Sequence, residues 1–176
     1  MHEMIMSTKL RLAKMVEKAV RSSMEYSDYI QFLRANVGMD ACAFFTNVNK
    51  TTNRKIKIEI HHAPLTLYDI AEIVIDKTVD TGGEINTLLI AEEVMELHYH
   101  NQVGLIPLSK TLHEVVHSQS GEKMFTIPMY MIYGDFKAFL KEYEPYIEKN
   151  KRIKKKIQDM VIRTKELNEH SFDSLK

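Results

Sequence analysis

Cysteine is almost absent from this sequence, because Cys42 is the single one among 176 residues. An intrachain disulfide is therefore excluded, and so is a metal site built from several thiolates. Any metal site must instead use histidine, aspartate or glutamate side chains. Since disulfide-free chains are typical of reducing compartments, we expect an intracellular, cytoplasmic protein.

Long apolar runs, glycine and proline are scarce as well. No run of 18 apolar residues is available to span a bilayer, and no signal-peptide pattern opens the chain, so we expect no membrane association. Six glycines and four prolines, together with eleven methionines, favour a helix-rich fold. Lysine plus arginine equal aspartate plus glutamate at 24 each. The net charge therefore gives no sign of nucleic acid, although it leaves room for a local basic face.

Hydrophobic periodicity predicts an α+β chain in three segments that form one compact domain. The N-terminal segment, 1–40, is helical. The central segment, 41–121, carries a helical insertion over 65–100, and the C-terminal segment, 122–176, ends in a basic tail. In the N-terminal segment we expect a helix over 7–35, broken near Ser22–Ser23. In the central segment we expect a β-hairpin of strands 41–48 and 54–61, a helix from the capping box at Thr66 to 78, a helix over 87–99, a strand over 103–108 and, after the N-cap Ser109, a helix over 110–118. In the C-terminal segment we expect an extended stretch over 123–131, a helix from 134 interrupted at Pro145, and a helical tail.

Two histidine pairs stand out from this pattern. His61 and His62 end the alternating run KIKIEI, and His113 and His117 lie four positions apart on a predicted helix. Side chains at that helical spacing share one face, which suits two ligands of one metal ion. A strand ending in His61 supplies a third ligand and leaves a coordination position open. His62 points to the opposite side of an ideal strand, so it is available as a base.

The stretches KIKIEIHHAPL and GLIPLSKTLHEVVH resemble the HNH, or ββα-metal, endonucleases. Their residue pattern is most similar to that of small phage members of the family. This resemblance covers about 41–120. It implies a ββα-metal core in which His61, His113 and His117 bind one divalent ion (Zn, Mg, Mn or Ni), and in which His62 is the general base. Glu59, two positions before the histidine pair, would have a supporting role. The implied activity is hydrolysis of DNA phosphodiester bonds.

The sequence departs from that family at Gly104, where the family's central, loop-bracing asparagine is expected. Because glycine has no side chain to brace the loop that carries the base, we expect weakened cleavage, with a gain from Gly104→Asn. One alternative is therefore a weakened HNH-fold module that binds nucleic acid or a protein partner without cleaving. A second alternative is a histidine-only structural zinc protein.

Basic residues near the predicted site suggest how DNA would be held. Arg54, Lys55, Lys57 and Lys110 are the expected phosphate contacts. The basic cluster at 149–156 in the tail either adds phosphate contacts or forms a solvated helix face. His98 and His100 are expected at the surface or at an interface.

Overall fold

A computed structural model describes residues 2–45, 47–49, 56–118 and 125–173; for 2–6, 118 and 168–173 it describes the backbone alone. Its elements are, in chain order, α1 (His2–Ser22), α2 (Met24–Asn36), β1 (Ile58–His62), α3 (Leu67–Asp80), α4 (Thr87–Tyr99), β2 (Leu105–Ser109), α5 (Lys110–Ser118), α6 (Phe136–Glu142), α7 (Glu144–Lys149) and α8 (Lys151–Asp173). The architecture is thus helix-rich α+β with a small antiparallel sheet, as the sequence predicted at this coarse level.

The N-terminal helices are separated where the sequence predicted a break. Ser23 leaves helical geometry between α1 and α2, and its hydroxyl accepts a hydrogen bond from the backbone N–H of Tyr26 at 3.1 Å. A serine at this position satisfies one of the free N–H groups at the start of a helix. Ala13, Val16 and Val20 recur on one side of α1 and are buried, as α1 packs along α3 and α4.

The two helices of the predicted insertion form as expected. Thr66 and Asp69 make a complete capping box at the start of α3, and the side chain of Asn86 caps α4. The apolar stripe of α3 is buried in the main hydrophobic core, which includes Ile70 and Val74. These helices therefore join the core that α1 begins, and they lie in the chain between the two strands.

The strand pairing differs from the predicted hairpin. β1 pairs antiparallel with β2, so that Glu59 lies opposite Leu108 and His61 opposite Ile106. The described residues of the proposed first strand, 41–48, contribute an isolated bridge from Ala41 to Asn49 and a hydrogen bond from the Ala43 N–H to the Pro107 carbonyl; 46 and 50–55 lie outside the described residues. The prediction of a hairpin over 41–61 was wrong, because β2 is the ladder partner of β1. The described part of 41–49 instead forms turns, with Phe45 N–H donating to the Cys42 carbonyl and Val48 N–H to the Phe45 carbonyl.

The C-terminal part folds back onto α3 through ion pairs. Arg152 binds Asp69 at 2.5 Å and Glu72 at 2.6 Å, and Lys156 binds Asp69 at 2.7 Å. Asp69 is fully buried, so the basic side chains of α8 compensate the charges on α3. Within the stretch predicted as extended, Met129–Met131 instead form one 3-10 turn, and 123–124 lie outside the described residues.

Among the described residues, no helix has both the length and the apolar character needed to cross a membrane.

Candidate metal centre

Three histidines converge where the end of β1 meets α5. His61 comes from the strand, and His113 and His117 from successive turns of the helix, with one ring nitrogen of each within 4.8 Å of the others. The Nε2 atoms of His113 and His117 are 3.1 Å apart. Two nitrogens bound to one tetrahedral ion at about 2.0–2.1 Å would lie roughly 3.3 Å apart. The spacing therefore fits ligands of a single ion.

A carboxylate orients one of these rings. Oε2 of Glu59 lies 2.6 Å from Nδ1 of His113. When Nδ1–H donates to Glu59, the lone pair of Nε2 points toward His61 and His117. Such a carboxylate–histidine pair is the usual outer support of a metal ligand, since it fixes both the tautomer and the ring orientation. Glu59 and His61 reach the same site because residues two apart share one face of a strand.

The surroundings of His61 and His113 favour their neutral imidazole forms. Burial, reinforced by the neighbouring His113 and His117, lowers the pKa of His61 to about 4. Burial and His117 also lower the pKa of His113, although the Glu59 carboxylate opposes that effect. His61 is buried, His113 half-buried and His117 exposed, so the centre opens toward solvent on the His117 side. Neutral rings are the protonation state that binds a metal.

His62 faces away from this centre, as strand alternation predicted, but it is not a free base. Its Nε2 lies 3.0 Å from Nε2 of His98, and its ring stacks on Tyr26. His98 is fully buried and its Nδ1 lies 2.7 Å from the carbonyl oxygen of Val94. The expectation of a surface position for His98 was wrong. Its spacing from Val94 and Ala91 on the buried stripe of α4 was the signal that would have placed it inside.

The structure describes two of the four predicted phosphate contacts. Arg54 and Lys55 lie outside the described residues. Lys57 and Lys110 are exposed and adjacent, because the N–H of Lys110 donates to the carbonyl of Lys57, but Lys110 already lies 3.6 Å from Glu114. Five of the six cations over 149–156 are paired as well: Lys149 with Asp80, Arg152 with Asp69 and Glu72, Lys154 with Glu148, Lys155 with Asp159, and Lys156 with Asp69. The basic run is therefore largely neutralised within the fold.

Gly104 has a packing role of its own rather than marking a lost asparagine. A Cβ atom at this position would lie 1.9 Å from the carbonyl oxygen of Ala63 and 2.8 Å from Cγ2 of Ile132. The Gly104 carbonyl also accepts the N–H of Ala63 at 3.0 Å. No side chain fits, so the expected gain from Gly104→Asn lacks a structural basis.

Comparison with known proteins gives a family over nearly the whole chain. Residues 1–175 match the family model described as Bacteriophage G278-like virion protein. No curated protein and no solved structure matches the chain.

This match corrects the functional predictions made from the sequence. The assignment to HNH endonucleases, the DNA-hydrolysing activity and the alternative of a weakened HNH module are wrong, since the matched family is one of virion proteins and no HNH family matches. A ββα-metal core is not shown, and the descriptions as a nuclease, hydrolase or zinc enzyme have no support. The phage context is confirmed. A protein of the phage particle has possible protein partners there, whereas a DNA partner and a host-cytoplasmic location lack support.

Proposed function

Because the chain belongs to the Bacteriophage G278-like virion protein family, we propose that it is a structural component of the phage particle whose fold is cross-linked by one divalent metal ion. The ion would be held by His61, His113 and His117 and would tie α5 to the end of β1. Its neighbours in the particle would be other virion proteins.

The observation that carries this proposal is the convergence of three imidazoles with a carboxylate placed behind one of them. A single helical histidine pair is a weak signal. Here a third ring arrives from a different element, and Glu59 fixes the tautomer of His113 at 2.6 Å. Apolar packing of Ile106, Leu108 and Leu112 beside the site holds the strand pair and α5 in this arrangement.

A structural ion is favoured over a catalytic one by the surroundings of the site. The base predicted from the sequence, His62, lies on the other face of β1 and is engaged by His98. Glu59 is engaged by His113. The ion would therefore link secondary-structure elements. This contribution is useful where the local sheet is as small as two five-residue strands.

The ligand set also limits the identity of the ion. Imidazole nitrogens suit first-row transition metals, whereas Mg²⁺ requires oxygen ligands in octahedral geometry. Among transition metals the usual affinity order gives Ni²⁺ an advantage over Co²⁺ and Mn²⁺. We therefore expect Ni²⁺ and Co²⁺ to bind and Mg²⁺ to be ineffective.

The test is a titration of the metal-stripped full chain with Co²⁺, followed by visible absorption, calorimetry and thermal unfolding. One ion should bind per chain and raise the unfolding free energy by about 2.7 kcal/mol at a free Co²⁺ concentration of 100 times Kd. His117→Ala should abolish both effects, and His100→Ala, an exposed histidine outside the cluster, should change neither. Binding with equal affinity to His117→Ala would refute the site.

Association with the particle is tested separately, by quantitative mass spectrometry of phage purified through a density gradient. The chain should be present in a fixed copy number per particle. Its absence from purified particles and presence in the infected-cell lysate would refute the structural role.

A further inference from the structure

A pocket of about 440 Å³ opens beside the three-histidine cluster. His61 and His117 contribute to its wall, and the far side is formed by α8. His113 is not among the described residues that line it. A tetrahedral ion on three histidines keeps one position for another ligand. Because two of the three rings border this space, the fourth position has a cavity into which it can open.

The wall supplied by α8 is rich in cations. Among the described lining residues, four are cationic and one is a carboxylate: Arg152, Lys155, Lys156 and Arg163, with Asp159. Two of these cations also form ion pairs with α3: Arg152 with Asp69 and Glu72, and Lys156 with Asp69. A divalent ion at the three histidines would add two positive charges beside this wall. The pocket therefore has the electrostatics of an anion site.

The rest of the lining is apolar. Val116 of α5, Phe125 and Ile127 of the following segment and Met160 of α8 all contribute, and the apolar part of the wall exceeds the polar part. A small inorganic anion would leave that surface in water. A ligand that combines a charged head with an apolar body would instead cover it.

We propose that this pocket binds a carboxylate carried on an apolar body, with a carboxylate oxygen taking the open position of the ion. The inference rests on the proposed function, because it requires the ion at His61, His113 and His117. The carboxylate could belong to a small organic acid or to an acidic residue of a neighbouring particle protein; the two sources share this chemistry and are separated by experiment.

The first experiment uses the Co²⁺-loaded full chain and 4-phenylbutyrate as the probe. Because the carboxylate would enter the coordination sphere, it should change the visible absorption of bound Co²⁺ saturably, and 4-phenylbutyramide should not. Two peptides separate the sources: acetyl-Leu-Glu-Leu-amide presents an acidic side chain in a chain, and acetyl-Leu-Gln-Leu-amide is its control. Tighter binding of the Glu peptide than of 4-phenylbutyrate assigns the site to a protein partner, and the reverse order assigns it to a small acid.

A matched pair of variants tests whether the pocket is the location. Met160→Trp should fill the cavity and weaken 4-phenylbutyrate binding at least tenfold while the Co²⁺ affinity stays unchanged. Val161→Trp, on the exposed neighbouring position outside the lining, should leave both affinities unchanged.

The outcomes separate this inference from the proposed function. A normal Co²⁺ spectrum that no carboxylate changes would overturn the inference and leave the metal site intact. A chain that binds no Co²⁺ would overturn both. An equal response to inorganic phosphate would overturn the requirement for an apolar body, and unimpaired binding to Met160→Trp would overturn the assigned pocket.

Discussion

The carboxylate of Glu59 contacts His113 across the gap between β1 and α5, with Oε2 and Nδ1 2.6 Å apart. The two residues lie on different elements, and their contact connects β1 to α5. Since Nδ1 is engaged by Glu59, Nε2 is the nitrogen left for an ion. The ring that a metal would need is thus already oriented by a strand residue.

Replacing this carboxylate gives the first prediction. Glu59→Gln should weaken Co²⁺ and Ni²⁺ binding by about 10- to 100-fold, because the support of a histidine ligand sets its basicity and orientation. The metal-free chain should lose little stability, since the Glu59 side chain is 39% exposed. Isothermal titration of wild type and variant measures the difference.

Glu114→Gln is the matched control, because Glu114 follows His113 on α5 but faces Lys110 instead of the cluster. It should bind Co²⁺ as wild type does. If both variants lost affinity equally, the effect would be a general loss of negative charge rather than the orientation of His113.

The docking of α8 onto α3 gives the second prediction. Arg152→Ala should lower the unfolding free energy by about 2 kcal/mol, because it removes hydrogen bonds to the ionised, buried Asp69 and Glu72. Lys155→Ala removes only an exposed pair with Asp159 on the same helix and should cost less than about 0.5 kcal/mol. Urea unfolding followed by circular dichroism compares them, and equal costs would contradict a specific role for the buried pair.

Local signals in the sequence predicted most of the helices and part of the site. The capping residues Thr66 and Ser109 stand where helices begin, and the alternation of β1 placed His61 and His62 on opposite faces. The i, i+4 spacing brought His113 and His117 together. These features depend on neighbours within a few positions, which a sequence displays directly.

The parts that failed depend on contacts distant in the chain. β1 pairs with β2 rather than with 41–48, although α3 and α4 separate β1 from β2 in the sequence. Likewise, nothing near residue 152 in the sequence indicates that its charge would meet Asp69. The functional error had another cause: a similar arrangement of histidines does not carry a nuclease activity with it, because function belongs to the complete site.

The buried contact between His62 and His98 gives a pH-dependent prediction. Burial lowers the pKa of His98 to about 4, from 6.5. The unfolded chain therefore binds more protons than the folded chain between these values. The contribution of His98 is complete above about pH 6.5 and is lost as the pH falls toward 4, by at most about 1.4 kcal/mol per pH unit.

Urea unfolding from pH 4.5 to 7.5 measures this dependence. His98→Gln keeps a side-chain acceptor for His62 but cannot be protonated in this range, so its stability should change less with pH than that of wild type. His100→Gln, at the exposed neighbouring histidine, should retain the wild-type dependence. An unchanged pH slope in His98→Gln would contradict the assignment.

The last prediction concerns Gly104, which the sequence suggested as a site that asparagine would improve. The structure instead predicts that any added side chain is destabilising, because a Cβ here would lie 1.9 Å from the Ala63 carbonyl oxygen. That oxygen belongs to the backbone, which cannot move aside as a flexible side chain can. Gly104→Ala should therefore cost about 3 kcal/mol or more in unfolding free energy, at the upper end of the range for overpacked sites. Gly83→Ala is the comparison, since its nearest contact is a Thr78 methyl group at 3.0 Å, and it should cost clearly less.

Because Ala63 follows His62 and Gly104 precedes β2, the Gly104 variant should also spread the strands at the metal centre and weaken Co²⁺ binding. Wild-type stability and Co²⁺ affinity in Gly104→Ala would show that the two strands do not approach as closely as described.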